Sequence, residues 1–382
     1  MQAKQIITRT LLRQPVDRVP IVNIFNLNYL VKKLNLHGSV INSYLENPLD
    51  TIISFQESLG HDPVINLYSF QEPDVVTWPS AIMKWQDTKT WNITEKLNAN
   101  ENGKQVSRTI ATPAGTMRFD YRQEKYQKWA MNHPFKTGQS LEMLEYRPDP
   151  VKCDVTAITK MCQTVGNRAF VFVTVPGVFQ EACSICGTQE MIMAIYDQPQ
   201  WVNDFFTALT AYTLTTVSAL VSSGVDCIQL NESSVGIGIS PELYKEYIYP
   251  YDKQVIQQIV NPGLISSFHV CGKSNRLLEL MADTGTTAIE TLAVPEVAGD
   301  VDLAYAKKRV GKQVGLWGGF NERVLVSTNP DDVRKEVWRC LDSAGHDGGY
   351  VLRGCGQIYE ANDSNWLVLE QAVKEWGESN LR

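Results

Sequence analysis

His269 and Cys271 close one apolar run as His-Val-Cys-Gly, and Cys355 closes another as Gly-Cys-Gly. A soft thiolate pair with one imidazole is a donor set that suits zinc. Three protein donors leave one tetrahedral position open for chemistry, whereas closed structural sites usually draw four ligands from two tight local pairs. Glu290, in Ala-Ile-Glu-Thr-Leu, is a fourth potential ligand. His-x-Cys alone recurs by chance, and a satisfied histidine with two thiols as small core filler would account for the same residues. The deciding question is whether the fold brings them to one place.

Apolar runs alternate with helical patterns along the whole chain. Strands are predicted at Val19–Phe25, Pro63–Tyr68, Ala169–Val175, Val225–Asn231, Leu264–Val270, Thr287–Leu292, Gln313–Gly318 and Gly349–Arg353. They are short and mostly rich in Val and Ile, as strands buried on both faces should be. Helices are predicted between them, including Pro199–Ser222, Pro241–Val260, Ser274–Thr284 and Asp331–Gly345, several of them followed by glycine. Eight such units define an α/β fold, a (β/α)8 TIM barrel. Functional groups of such barrels gather at the C-terminal ends of the strands. His269 and Cys271 end the fifth strand, Glu290 lies near the end of the sixth, and Cys355 follows the eighth, so all four point at one mouth. Asn231 and Glu232, at the end of the fourth strand, are further candidates for substrate binding or for orienting a ligand. Gly318 and Gly319, with Asn321, would let backbone approach a bound cofactor closely.

The segment Trp85–Asp149 breaks the rhythm. Short antiparallel strands are predicted over Trp91–Ala111 and Gly115–Arg122, making an insertion after the second barrel strand that could cap the mouth. The 382 residues are read as one barrel domain, 1–382, carrying this insertion at 85–149. Forty-three per cent are apolar, enough for a large core, and 42 acidic against 35 basic residues give a net charge of −7. That balance argues against a nucleic-acid partner held by bulk electrostatics. The uncharged stretch Phe205–Val225 is long enough to span a bilayer, but its hydroxyls and Gly224 read better as a buried helix, a turn and a strand, with no membrane association. Eight cysteines, Cys153 among them, without a secretion signal indicate a reducing cytosol. Cys183-Ser-Ile-Cys186 lacks the setting of a redox pair and is read as packing.

Three segments carry a resemblance. Val-Asp-Arg-Val-Pro at 16–20, Gly-Val-Asp-Cys-Ile-Gln-Leu at 224–230 and Ile-Ser-Pro-Glu-Leu-Tyr at 239–244 resemble the uroporphyrinogen decarboxylase superfamily. Phe-His-Val-Cys-Gly and Gly-Cys-Gly resemble its zinc methyltransferase branch, which includes methylcobamide:coenzyme M methyltransferases. The order of His-x-Cys, Glu and Cys is also similar to the zinc site of cobalamin-independent methionine synthase. The resemblance implies that His269, Cys271 and Cys355 hold Zn2+, with Glu290 a fourth ligand displaced by substrate. It further implies a corrinoid (methylcobalamin) carried by a partner protein, and a small-molecule substrate. Zinc lowers the pKa of a bound thiol, and two protein thiolates would leave that substrate nucleophilic, which favours a thiol.

Two departures shape the expectation. The insertion's Thr-Pro-Ala-Gly-Thr and His-Pro-Phe-Lys-Thr segments resemble bacterial relatives that demethylate methoxylated or methylated compounds. The Arg-Gln-Ala-Gly-Arg segment of true decarboxylases is replaced by Asn23-Ile-Phe-Asn-Leu-Asn28. A metal-free lyase and a non-catalytic corrinoid or zinc scaffold are the competing expectations.

Overall fold

The structure, a computed structural model, describes residues 1–35, 49–68, 89–100, 103–123, 128–148 and 155–380. The expected insertion limits, Trp85 and Asp149, and Cys153 lie outside the described residues. Seven parallel strands form the central sheet. They are β1 (Val64–Tyr68), β6 (Phe170–Pro176), β7 (Cys227–Asn231), β8 (Ile265–His269), β9 (Ala288–Thr291), β10 (Gly315–Gly318) and β11 (Tyr350–Val351), hydrogen-bonded in that order.

The expected first strand closes the ring. Val22 N–H donates to the Leu352 carbonyl at 2.9 Å, and Leu352 N–H donates to Pro20 at 3.0 Å. On its other side, Asp62 N–H donates to the Ile21 carbonyl at 2.7 Å. This segment pairs through isolated bridges, Ile21 with Leu352 and Phe25 with Ile358, and forms no continuous ladder. Pro20 has a carbonyl to offer but no N–H, so pairing cannot run on through it. The Asp62 carboxylate steadies the junction by accepting from Ile21 N–H at 3.0 Å and from Arg18 at 2.7 Å. The chain is thus a (β/α)8 barrel of the TIM type.

Side-chain alternation divides the core in two. Val22, Ile24, Val64, Phe170, Phe172, Cys227, Ile265, Ala288, Trp317 and Val351 pack together inside the barrel. The N-terminal helix Ala3–Leu11 adds Ile6, Ile7 and Leu11 to the same cluster and plugs the end opposite the site. The opposite faces of the strands pack against the outer helices. Pro199–Val221 is one of these, apolar enough by composition to cross a membrane, and it buries Val202, Phe205, Phe206, Leu209, Val217 and Leu220. The predicted helix Pro241–Val260 contains a π-helical turn at Tyr244–Ile248. Pro250 lies two residues beyond, and its missing N–H and ring clash with the preceding turn explain the widening.

The insertion forms an antiparallel sheet of β2 (Asn92–Asn100), β3 (Gly103–Thr112), β4 (Gly115–Gln123) and β5 (Lys128–Ala130). The chain beyond it docks on the barrel rim. Phe135 N–H donates to the Ile185 carbonyl at 3.2 Å, and Trp201 Nε1 donates to the Gln139 carbonyl at 2.8 Å. Phe135 stacks on Phe205 at 6.0 Å between centroids. Arg147 pairs with Glu181 at 2.9 Å, both almost wholly buried, and lies over the Tyr212 ring at 3.5 Å. Helix Val178–Cys186 follows β6 directly, so this contact falls on the C-terminal side of the strands.

Candidate functional site

The parallel register aligns the candidates. Asn231 of β7 pairs with His269 of β8, and His269 pairs with Glu290 of β9. Alternation from the apolar interior residues places Asn66, Thr174, Gln229, Ser267, His269 and Glu290 on the inner face as well. The barrel interior is therefore apolar towards helix Ala3–Leu11 and polar towards the C-terminal mouth. Thr174 Oγ1 donates to Gln229 Oε1 at 2.9 Å and reaches Asn66 Oδ1 at 3.3 Å.

His269 sits in a hydrogen-bonded chain. Its Nδ1 bonds to Glu290 Oε2, and Thr291 Oγ1 lies 3.0 Å from both atoms. Its Nε2 faces Cys271 Sγ at 3.1 Å. A carboxylate only accepts, so Nδ1 carries the proton, and Nε2 is the ring nitrogen turned to the sulfur. Glu290 is fully buried, and its other oxygen, Oε1, is ion-paired with Arg353. Oε2 of the expected fourth ligand is thus engaged by His269 and Thr291, whereas Oε1 is held by charge pairing alone, with no hydrogen bond among the described residues. Arg353, with 5% of its side chain exposed, also faces the Trp317 ring at 5.9 Å. It was not among the expected site residues, yet it extends the strand Gly349–Arg353 on the same face as interior Val351.

Cys271 is exposed, whereas Cys355 is buried with its Sγ 3.8 Å from the Leu292 carbonyl. Cys355 N–H donates to the Phe320 carbonyl at 2.9 Å, and its side chain packs with Ala293 and Val294 beside the end of β9. Burial pushes the Cys355 thiol up to about 12. Among the described residues, no group of three His, Cys, Asp or Glu side chains is arranged to hold a metal as it stands. The donor chemistry nevertheless suits zinc. Zinc bonded to both an imidazole nitrogen and a thiolate would hold them about 3.5 Å apart, and the His269–Cys271 separation is close to that. Cys355 is not grouped with that pair as the structure stands.

The remaining candidates are placed differently. Asn231 Oδ1 accepts from Ser233 N–H at 3.1 Å and Ser233 Oγ at 2.6 Å. Glu232 turns away from the barrel interior, as alternation requires, and accepts from Phe179 N–H at 2.7 Å and Gln180 N–H at 2.9 Å. It caps helix Val178–Cys186 and lies against Asp252, and burial raises the pKa of both carboxyls, Asp252 to about 7. Gly318 does permit a close approach, but to the protein itself: a Cβ there would sit 2.2 Å from the Thr291 carbonyl. Gly319 donates to the same carbonyl at 3.0 Å. Asn321 caps the 3₁₀ turn Glu322–Val326 through Arg323 N–H at 3.1 Å. Cys183 and Cys186 are buried free thiols, raised by burial, with Cys186 at about 12.

The fold and its polar mouth define a barrel of the enzyme-bearing TIM class. The uroporphyrinogen decarboxylase family model matches residues 106–376, and the chain belongs to that family. Among curated relatives, a uroporphyrinogen decarboxylase from Legionella pneumophila is 30% identical over 46% of this chain and 47% of its own length. One from Coxiella burnetii is 25% identical over 49% and 50%. The chain thus spans about half the length of the curated relatives it matches. Among solved structures, a methyltransferase from Methanosarcina mazei superposes with a TM-score of 0.65 at 16% identity, covering 98% of this chain and 99% of that one. A B12-independent methionine synthase from Shewanella sp. W3-18-1 gives 0.51 at 11% identity, covering 90% and 89%. Both show a shared barrel.

Proposed function

We propose that this chain is a zinc-dependent methyltransferase that moves a methyl group between a corrinoid protein and a small substrate, most simply a thiol. The observation that carries the reading is the His269–Cys271 pair at the mouth, with Nδ1 of the imidazole tied to Glu290 and Nε2 turned to the sulfur. His269, Cys271 and Cys355 would hold the metal. Zinc, when bound, supplies a Lewis acid that keeps a substrate thiol deprotonated at neutral pH. Glu290 holds the imidazole proton on Nδ1, and Thr291 donates to the same carboxylate. Glu290, the expected fourth ligand, would serve here by holding His269, leaving room at the metal for substrate. The amides and hydroxyl of Asn66, Thr174 and Gln229 line the interior beneath it. One solved barrel that superposes on this chain is described as a methyltransferase, which supports methyl transfer as the reaction class. The described free thiols suit a reducing cytosol.

Demethylation of a methoxylated or methylated donor is the same chemistry in the opposite direction. A second reading, metal-free decarboxylation, is favoured by the names of the curated relatives. Methylcobalamin demethylation, assayed over a panel of thiols with and without chelator, separates the two. We expect thiol-dependent, chelator-sensitive loss of the methyl group, abolished in His269→Ala. Chelator-insensitive decarboxylation of uroporphyrinogen with no methyl transfer would refute the proposal.

A further inference from the structure

We infer that Arg353 is a positioning residue for His269, acting through Glu290. The consequence for metal binding rests on the zinc reading above; the geometry does not. Three strand ends meet in one line of contacts. Arg353, just past β11, ion-pairs with Glu290 Oε1 from β9. Glu290 Oε2 then receives Nδ1 of His269 from β8 and the Thr291 hydroxyl. Glu290 is wholly buried and Arg353 nearly so. A carboxylate in such a place requires a matched charge, because an isolated one is strongly disfavoured. Arg353 supplies that match across the barrel, skipping β10, and the Trp317 ring beneath the guanidinium limits where it can lie. Fixed from behind, Glu290 fixes both the tautomer and the plane of the imidazole, so Nε2 faces Cys271. Only Gly354 separates Arg353 from Cys355, so the same contact ties the loop carrying the second thiol to the strand end carrying the first.

The geometry makes Glu290 an outer partner of His269, of the kind that orients metal-binding histidines in general. It also assigns Arg353 a task other than receiving an anionic substrate, since its charge is matched inside the protein.

The test follows the His269 ring directly. The chain has five histidines, so ¹⁵N-histidine spectra can be assigned with His269→Gln as reference. In the wild type, His269 should show the Nδ1–H tautomer with a proton that exchanges slowly with water. Arg353→Gln should abolish that slow exchange and weaken zinc affinity, by at most the roughly ten- to hundredfold expected for losing the outer partner Glu290 itself. Arg353→Lys should restore part of both. Arg353→Gln leaves a buried carboxylate unmatched, so the double variant Arg353→Met/Glu290→Leu provides a charge-free companion in which slow exchange should also vanish. Unchanged exchange and zinc affinity in the folded variants would overturn the role of Arg353 while leaving the zinc reading intact. Loss of slow exchange in the variants of a protein that binds no zinc would support Arg353 and overturn the zinc reading.

Discussion

His61 offers a measure of how tightly the ring closure is packed. It precedes β1 and lies in an aromatic cluster, 5.9 Å from Phe25 and 5.1 Å from Trp366 between ring centroids. Only 5% of it is exposed, and neither ring nitrogen has a hydrogen-bond partner among the described residues. Burial pushes its pKa down from 6.5 to about 3. A depressed folded value means that the unfolded chain takes up the proton first. The neutral ring's contribution is therefore complete above pH 6.5 and is lost as the pH falls towards 3. At pH 5 the unfolded histidine is protonated and the folded one is not. Taking about 1.4 kcal/mol for each unit between pH 6.5 and 5, the loss is roughly 2 kcal/mol. His61→Phe keeps an aromatic ring among Phe25 and Trp366 and removes the titration. Urea unfolding at pH 7 and pH 5 should show the wild type losing about 2 kcal/mol more stability than the variant across that interval. Equal losses would refute the assignment of His61 as a buried neutral ring.

Three further outcomes are expected. Gly236→Ala would place a Cβ 1.9 Å from the Cys271 carbonyl, so it should displace the Cys271 loop and impair zinc binding measured by chelator competition, while far-ultraviolet circular dichroism stays unchanged. Arg147→Met should cost roughly 3–5 kcal/mol in urea unfolding because it strands a buried Glu181 carboxylate, and Arg147→Met/Glu181→Leu should recover much of that loss. Iodoacetamide applied to native metal-free protein should label exposed Cys271 ahead of Cys183, Cys186 and Cys355, whose thiols burial holds protonated, and added zinc should slow labelling of Cys271.

Much of the barrel was legible because each buried strand leaves a short apolar run. Leu264–Val270 contains β8 and Thr287–Leu292 contains β9, each to within a residue or two at either end. The weakest expectations fell where backbone chemistry interrupts pairing. Pro20 reduces the first strand to bridges, and Gly348 and Gly349, both left-handed, delay β11 until Tyr350. Strand ends also located His269, Cys271 and Glu290. Arg353 escaped notice because its partner lies two strands away, although a lone cation in the register of Val351 was the available signal. Glu232 shares a strand end with Asn231, but a period of two sends its side chain to the opposite face. The side chain it meets there, Asp252, lies on the outer helix Tyr249–Val260, and no local pattern reveals that contact. Gly318 and Gly319 were expected to admit a cofactor, but the backbone they let approach is that of Thr291, on a neighbouring strand that no local pattern reveals.

Zinc X-ray absorption on the purified chain, with and without a small thiol, reads the ligand set itself. We expect one zinc per chain, bound by one imidazole and two sulfurs, that gains a third sulfur when thiol is added and is lost in His269→Ala. A chain without stoichiometric zinc, or a His269→Ala variant that binds zinc as well as the wild type, would contradict it.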